Sequence, residues 1–132
     1  MRVLALDYGE ARCGCALSDP TGILATPLPA IERPGTRRGL ARIVALAAER
    51  EAERVVVGLP VGLSGEDTAQ TTETREFAAR LGERLDVPVE LYDERFTTRL
   101  AQRAGGARSD EDSRAAAILL EGWLARSAGA AR

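Results

Sequence analysis

The apolar positions change their spacing several times along the chain, and each change marks an expected element. Val3-Leu4-Ala5-Leu6 is a short continuous apolar run that ends on Asp7, and after a turn at Gly9 a second strand is expected from Arg12 to Leu17. Asp19-Pro-Thr-Gly22 has the residues of a tight turn, with proline placed for its first central position. Ile23 to Leu28 makes a third short strand, which Pro27 and Pro29 confine to an edge. Beyond the breaker Pro34-Gly35-Thr36, residues Leu40, Ile43, Val44 and Ala47 repeat with helical spacing to about Glu51, and Arg37, Arg38 and Arg42 fall mostly off that stripe.

Arg54 to Gly58 is an apolar run of strand length between two helical patterns, as in strands covered on both faces, with a loop at Gly58-Leu-Pro60. Ser64 to Asp67 leads into a helix that carries Thr74, Phe77, Ala78, Leu81 and Leu85 on one side, and Val87 to Asp93 is the next strand. A short helix is expected from Phe96 to about Ala104 and a loop over Gly105 to Ser109. The last helix starts near Asp110, with Ala115, Ala116, Leu119 and Trp123 on its apolar stripe, and about 127–132 is a frayed tail.

This order predicts an α/β fold: a three-strand antiparallel meander, then two strands that helical crossovers make parallel to their neighbours. The result is a mixed five-stranded sheet with helices on both faces and the first strand near its centre. At 132 residues the chain supports one such domain, taken as 1–132. It opens directly on a strand, and no stretch approaches the roughly 18 to 20 apolar residues of a membrane span, so a cytoplasmic protein without membrane association is expected.

Composition narrows the chemistry. The chain has no histidine, and all 18 of its basic side chains are arginine. A Ser-His or Cys-His nucleophile pair and an imidazole metal ligand are therefore excluded within one chain. The net charge of −2 excludes a uniformly basic coat, but the charges are unevenly placed. Arg33, Arg37, Arg38 and Arg42 have no acidic residue among them, while Arg95, Arg99 and Arg103 recur every four residues. Cys13 and Cys15 lie two apart on one expected strand, too constrained to pair with each other and best read as small buried core residues.

Ligands of such sheets collect at the carboxyl ends of the parallel strands, which is where Asp7, Gly58-Leu-Pro60 and Asp93-Glu94 fall. Asp7, then Asp93 or Glu94, and one acid of the last helix make an all-oxygen donor set of the kind that magnesium-type ions take. Two such ions about 4 Å apart activate water and stabilise the leaving oxygen of a phosphodiester. Asp112 shares the apolar stripe of the last helix; Ser109 and Asp112 also fit a Ser-x-x-Asp capping pattern, and both readings stand. Asp110 and Glu111 are expected as solvated acids of the first turn. Arg95, Arg99 and Arg103 share one side of a helix and are expected to meet phosphate backbone, against the alternative of an ordinary solvated face.

Asp7-Tyr-Gly9-Glu-Ala-Arg12-Cys-Gly14-Cys-Ala16-Leu-Ser18-Asp19, Val57-Gly-Leu-Pro60, Gly65, Asp93-Glu-Arg-Phe-Thr-Thr98, and Asp112 ahead of Ala115-Ala116-Ala-Ile-Leu-Leu-Glu together resemble the YqgF/RuvX family. Those proteins are bacterial, RNase H-like, and described both as Holliday junction resolvases and as nucleases of pre-16S ribosomal RNA maturation. The resemblance runs from residue 3 to about 124. It implies an RNase H-like nuclease fold, a catalytic and metal-holding set of Asp7, Glu94 and Asp112, and Mg2+ or Mn2+ as the cofactor. Arg12, Arg95, Arg99 and Arg103 would then contact the nucleic acid. Where the family has a Lys-Arg pair after the first glycine, this chain has Ala11 and Arg12; where it often has an acid before Gly65, this chain has Ser64.

The function expected is a metal-dependent endonuclease of structured nucleic acid, with pre-16S ribosomal RNA as the preferred substrate and a branched DNA junction as the second. A junction cutter is expected to be a homodimer, whereas RNA trimming is compatible with a monomer. The rival from another class is a non-cleaving binding module of the same fold. Actin-like nucleotide-binding proteins also place Asp-x-Gly after a first strand, but they need two such domains to enclose ATP.

Overall fold

The fold is that of a computed structural model, which describes residues 1–96 and 108–130, the side chains of 108–112 and 129–130 excepted. Its strands are β1 (Val3–Tyr8), β2 (Arg12–Ser18), β3 (Ala25–Glu32), β4 (Arg54–Leu59) and β5 (Val89–Asp93). The helices are α1 (Arg37–Glu49), α2 (Ala69–Gly82) and α3 (Arg108–Ala130). The sheet order is β3-β2-β1-β4-β5, so the first strand is central. β1 and β2, and β2 and β3, pair antiparallel, whereas β4 is parallel to both β1 and β5. This is the expected topology.

Side-chain alternation divides the core in two. Leu4, Leu6, Cys13, Cys15, Val55 and Val57 face α1 and α2, where they meet Leu40, Ile43, Phe77 and Leu81. Val3, Ala5, Ala16, Val56 and Tyr92 face α3 and its Ala116, Leu119, Leu120 and Trp123. Burying each large aliphatic or aromatic side chain contributes about 1.5–3 kcal/mol. Neither cysteine is in a disulfide, and both are buried in the first of these layers, as expected of small core residues.

Local chemistry sets the helix starts. Thr36 caps α1 by accepting from Gly39 N at 3.0 Å. Thr68 caps α2 in a reciprocal box with Thr71, whose hydroxyl also donates to Pro60 O and so ties the end of β4 to the helix. Buried Ser113 in α3 donates to Leu28 O, and Trp123 Nε1 donates to Glu90 Oε2 at 2.8 Å. These two bonds hold α3 across the sheet.

Several boundaries differ from those expected: β5 begins at Val89 rather than Val87, and α2 ends at Gly82, short of Leu85. β3 starts at Ala25 and runs to Glu32, rather than spanning Ile23 to Leu28. An edge strand is bonded on one side only, so Pro27 and Pro29 do not stop it. Gly58 and Leu59 belong to β4 rather than to a loop, because pairing with Tyr92 and Asp93 of β5 continues through them. α3 contains Ser109, so that residue lies inside the helix instead of preceding it. The helix also continues to Ala130, where a frayed tail from about 127 was expected; its alanines favour helix, and one glycine costs only about 1 kcal/mol. Glu94–Phe96 forms a single 3-10 turn, while the rest of the helix expected to about Ala104 lies outside the described residues. No helix among the described residues is long and apolar enough to cross a membrane.

Candidate active site

The site is built at the edge of the sheet where β1, β4 and β5 all end. Leu6 of β1 is level with Val57 of β4, and Gly58 of β4 is level with Tyr92 of β5. The same register places Asp7 in one row with Gly58 and Tyr92. Alternation from buried Val3 and Ala5 puts Asp7 on the α3 face, half-buried. On its other side Asp7 is registered with Gly14 of β2. Both strand neighbours of this carboxylate are therefore glycines, and neither lays a side chain across it.

That space has an occupant. An ideal Cβ built on Gly58 would lie 2.7 Å from Glu94 Oε1 and 3.1 Å from both Glu94 Cγ and Leu119 Cδ2. The 3-10 turn after β5 thus folds the Glu94 side chain back over β4, on the face where Asp7 stands. The sequence places Gly58 at this edge but in a loop, whereas in the structure it is a β4 residue whose missing side chain makes room for Glu94. The signal was present in the apolar run Arg54-Val-Val-Val-Gly58, which ends on the one residue type that leaves such room.

The structure separates the two adjacent acids that the sequence left as alternatives. The carboxylate of Asp93 accepts from Arg95 backbone N at 2.8 Å, from Nε at 3.0 and 3.1 Å, and from Nη2 at 2.7 Å. These bonds from Arg95 hold the Asp93 carboxyl below the ordinary carboxylate range. Asp93 is thereby committed to orienting Arg95, and Glu94 is the acid over the sheet. The guanidinium of Arg95 also lies against the loop at Gly65, whose Cβ position is 3.2 Å from Nη1. That loop is closed by Gly62 N to Glu66 O at 2.9 Å and Ser64 N to Glu66 Oε2 at 3.0 Å.

Arg12 begins β2 opposite Glu32 and, by alternation with buried Cys13, belongs to the Asp7 face. The turn that delivers it is tight, since a Cβ on Gly9 would lie 2.8 Å from Arg12 O. Asp112 stands four residues before buried Ala116 on α3, and its side chain lies outside the described residues. Arg99 and Arg103 lie outside them as well. Among the described residues no three metal-ligating side chains form a group, and the two that share the site are Asp7 and Glu94. Two carboxylates suit a magnesium-type ion, which is commonly held by one or two carboxylates together with water and substrate phosphate.

The chain matches the family model described as RuvX: Holliday junction resolvase over residues 1–126. A protein of Maridesulfovibrio salexigens is 38% identical over 135 residues, covering 96% of this chain and 100% of its own. One of Mycobacterium tuberculosis is 42% identical over 132 residues, covering 93% and 78% respectively. Both carry the name "Putative pre-16S rRNA nuclease". Among solved structures, Thermus thermophilus RuvC superposes with a TM-score of 0.64 over 98% of this chain and 97% of its own, at 17% identity. The fowlpox virus Holliday junction resolvase gives 0.53 over 97% and 99%, at 10% identity. At such identities these two likenesses concern the fold, which is the RNase H-like one.

Proposed function

The chain belongs to the RuvX family, and from that membership we propose that it is a nuclease that hydrolyses phosphodiester bonds of structured nucleic acid at the Asp7 edge of the sheet. The observation that carries this reading is the pair of glycines flanking Asp7, with the Glu94 carboxylate lying over one of them. A carboxylate at the end of a buried strand is costly to desolvate, so its place at the sheet edge beside a second carboxylate calls for a charge-compensating role.

Asp7 and Glu94 would hold a divalent ion, Mg2+ or Mn2+, and Asp112 would complete the set from α3. When bound, such an ion supplies the charge that activates water and stabilises the leaving oxygen. Arg95, fixed by Asp93 beside Glu94, would hold a substrate phosphate at the edge of the site, with Arg12 on the β2 side and Arg99 and Arg103 beyond the 3-10 turn. Arginine suits this work because its planar fork matches phosphate oxygens.

The preferred substrate is precursor 16S ribosomal RNA, on the names of the relatives that match nearly the whole chain. The second reading, a four-way DNA junction, rests on the description of the family model. Digestion of both substrates side by side, with magnesium and with Asp7→Asn as control, tests the proposal. Asp7-dependent cleavage of the RNA precursor is expected. Asp7-dependent cleavage of the junction alone favours the second reading, and no Asp7-dependent cleavage of either leaves a binding module.

A further inference from the structure

The turn after β4 displays an apolar side chain that the fold does not use. Leu63 is 94% exposed, more than any other large apolar residue among those described. A single leucine on a protein surface is ordinary; what distinguishes this one is how firmly its neighbours are placed. Gly62 N donates to Glu66 O at 2.9 Å, Gly65 N to Gly62 O at 2.8 Å, and Ser64 N to Glu66 Oε2 at 3.0 Å. Gly65 takes the left-handed conformation at φ 87°, and a Cβ on Gly62 would overlap the Glu66 carboxylate. Two glycines and Glu66 therefore close the turn. Leu63 sits at its tip, and its side chain takes part in none of these contacts.

The turn is also braced against the candidate active site. Arg95 Nη1 lies 3.2 Å from the Cβ position of Gly65, and the same guanidinium is held by Asp93, next to Glu94. Leu63 is two residues from Gly65, so their backbones are at most about 7 Å apart. That span is on the order of two base steps, at about 3.4 Å each along a strand. The other strongly exposed aliphatic side chains, Ile23 and Leu24, belong to the β2–β3 connection at the opposite end of the sheet. Phe96, half-exposed, is covered by the Arg126 guanidinium at 4.0 Å from its ring centroid. A strand whose phosphate rests on Arg95 would thus meet Leu63 as its apolar neighbour. The broad apolar surfaces of a nucleic acid are the faces of its bases, which stacking hides, and leucine is among the side chains that proteins insert at base steps to unstack them.

We propose that Leu63 packs on the face of a nucleobase displaced from its stack, one or two steps from the phosphate held by Arg95, and so favours cutting where the strand is open. The proposal rests on the nuclease reading for its ligand class, and binding measured without divalent metal tests it separately from cleavage.

The experiment compares the parent chain with Leu63→Ser and Leu63→Met on a precursor 16S RNA fragment and on a four-way DNA junction, using whichever the parent binds more tightly. First, 2-aminopurine, which brightens when unstacked, replaces one base at a time. The parent and Leu63→Met are expected to brighten the same one or two adjacent positions, and Leu63→Ser to leave them dim. Second, the base so located is removed to leave an abasic site. On the intact nucleic acid Leu63→Ser should bind about 10-fold more weakly than the parent, the scale of losing one buried leucine contact. On the abasic one the two proteins should bind alike. Because the side chain is exposed, both variants are expected to keep the parent unfolding temperature. Brightening that does not depend on Leu63, no brightening at any position, or equal losses on intact and abasic nucleic acid overturns the proposal. Loss of cleavage in Asp7→Asn is read independently, so failure of the Leu63 test leaves the nuclease reading standing.

Discussion

The carboxylate of Glu94 fills the position that a side chain on Gly58 would take, with Oε1 2.7 Å from where that Cβ would be. A residue at the end of one strand thus sets the place of an acid supplied by the next. Gly58→Ala is expected to displace a flexible carboxylate rather than backbone, so the fold should survive with a small loss of stability. Cleavage should fall by about 100-fold, the scale of a displacement of about 1 Å in a catalytic group. Thermal unfolding and single-turnover cleavage of the same preparation check both halves. A variant that cleaves like the parent would mean that Glu94 does not act from this position.

The neighbouring acids should separate in function. Glu94→Gln is expected to weaken magnesium-dependent cleavage and to raise the magnesium concentration needed for half-maximal rate. Asp93→Asn should leave that metal requirement close to the parent value and instead lower substrate affinity, because Arg95 loses its fixed orientation. A magnesium titration of cleavage for both variants decides. If Asp93→Asn shifts the metal requirement more than Glu94→Gln does, the assignment is reversed.

Ser18 supports the start of the central strand. Its buried hydroxyl accepts from Val3 N at 2.7 Å and donates to Met1 O at 3.0 Å. Ser18→Ala leaves the Val3 N–H without that acceptor inside the core and should cost about 1–3 kcal/mol. Urea unfolding measures it, and a loss below about 0.5 kcal/mol would show that the strand end relaxes to find another partner.

The turn between β2 and β3 carries a pH dependence. The Asp19 carboxylate accepts from the Thr21 hydroxyl and from the backbone N–H groups of Ile23 and Leu24, and its pKa is pushed down to about 2. A folded value below the unfolded one, near 3.9, means that this contribution is complete above about pH 4 and is lost as pH falls toward 2. Asp19→Asn should therefore flatten the acid side of the stability profile between those values while leaving the neutral range little changed in slope. Titration of the Asp19 side chain by NMR should give a midpoint near 2; an ordinary value near 4 would contradict the turn geometry.

Much of this organisation was legible from the residues. Continuous apolar runs at Val3–Leu6 and Arg54–Gly58, with helical spacing between and after them, were enough to give the strand order and a central first strand. The end of β3 was not legible, since proline stops a central strand but not an edge strand bonded on one side. The choice between Asp93 and Glu94 was equally hidden. It depends on the 3-10 turn that begins at Glu94, which turns one acid toward Arg95 and the other over the sheet. Gly58 was legible as part of the edge, but its role in placing Glu94 was not, since that role lies in the missing side chain and depends on where the 3-10 turn carries Glu94.

Asp7 is the residue on which the whole reading turns, and the most direct measurement is cleavage of a pre-16S ribosomal RNA precursor by the parent chain and by Asp7→Asn across a magnesium titration. The parent should cut with a saturable magnesium requirement. Asp7→Asn, with its fold verified by circular dichroism, should be slower by at least about 100-fold, since losing even an outer-shell partner of a metal site commonly costs 10–100-fold. Equal rates for the two proteins, or cutting that needs no divalent ion, would contradict a site built around Asp7.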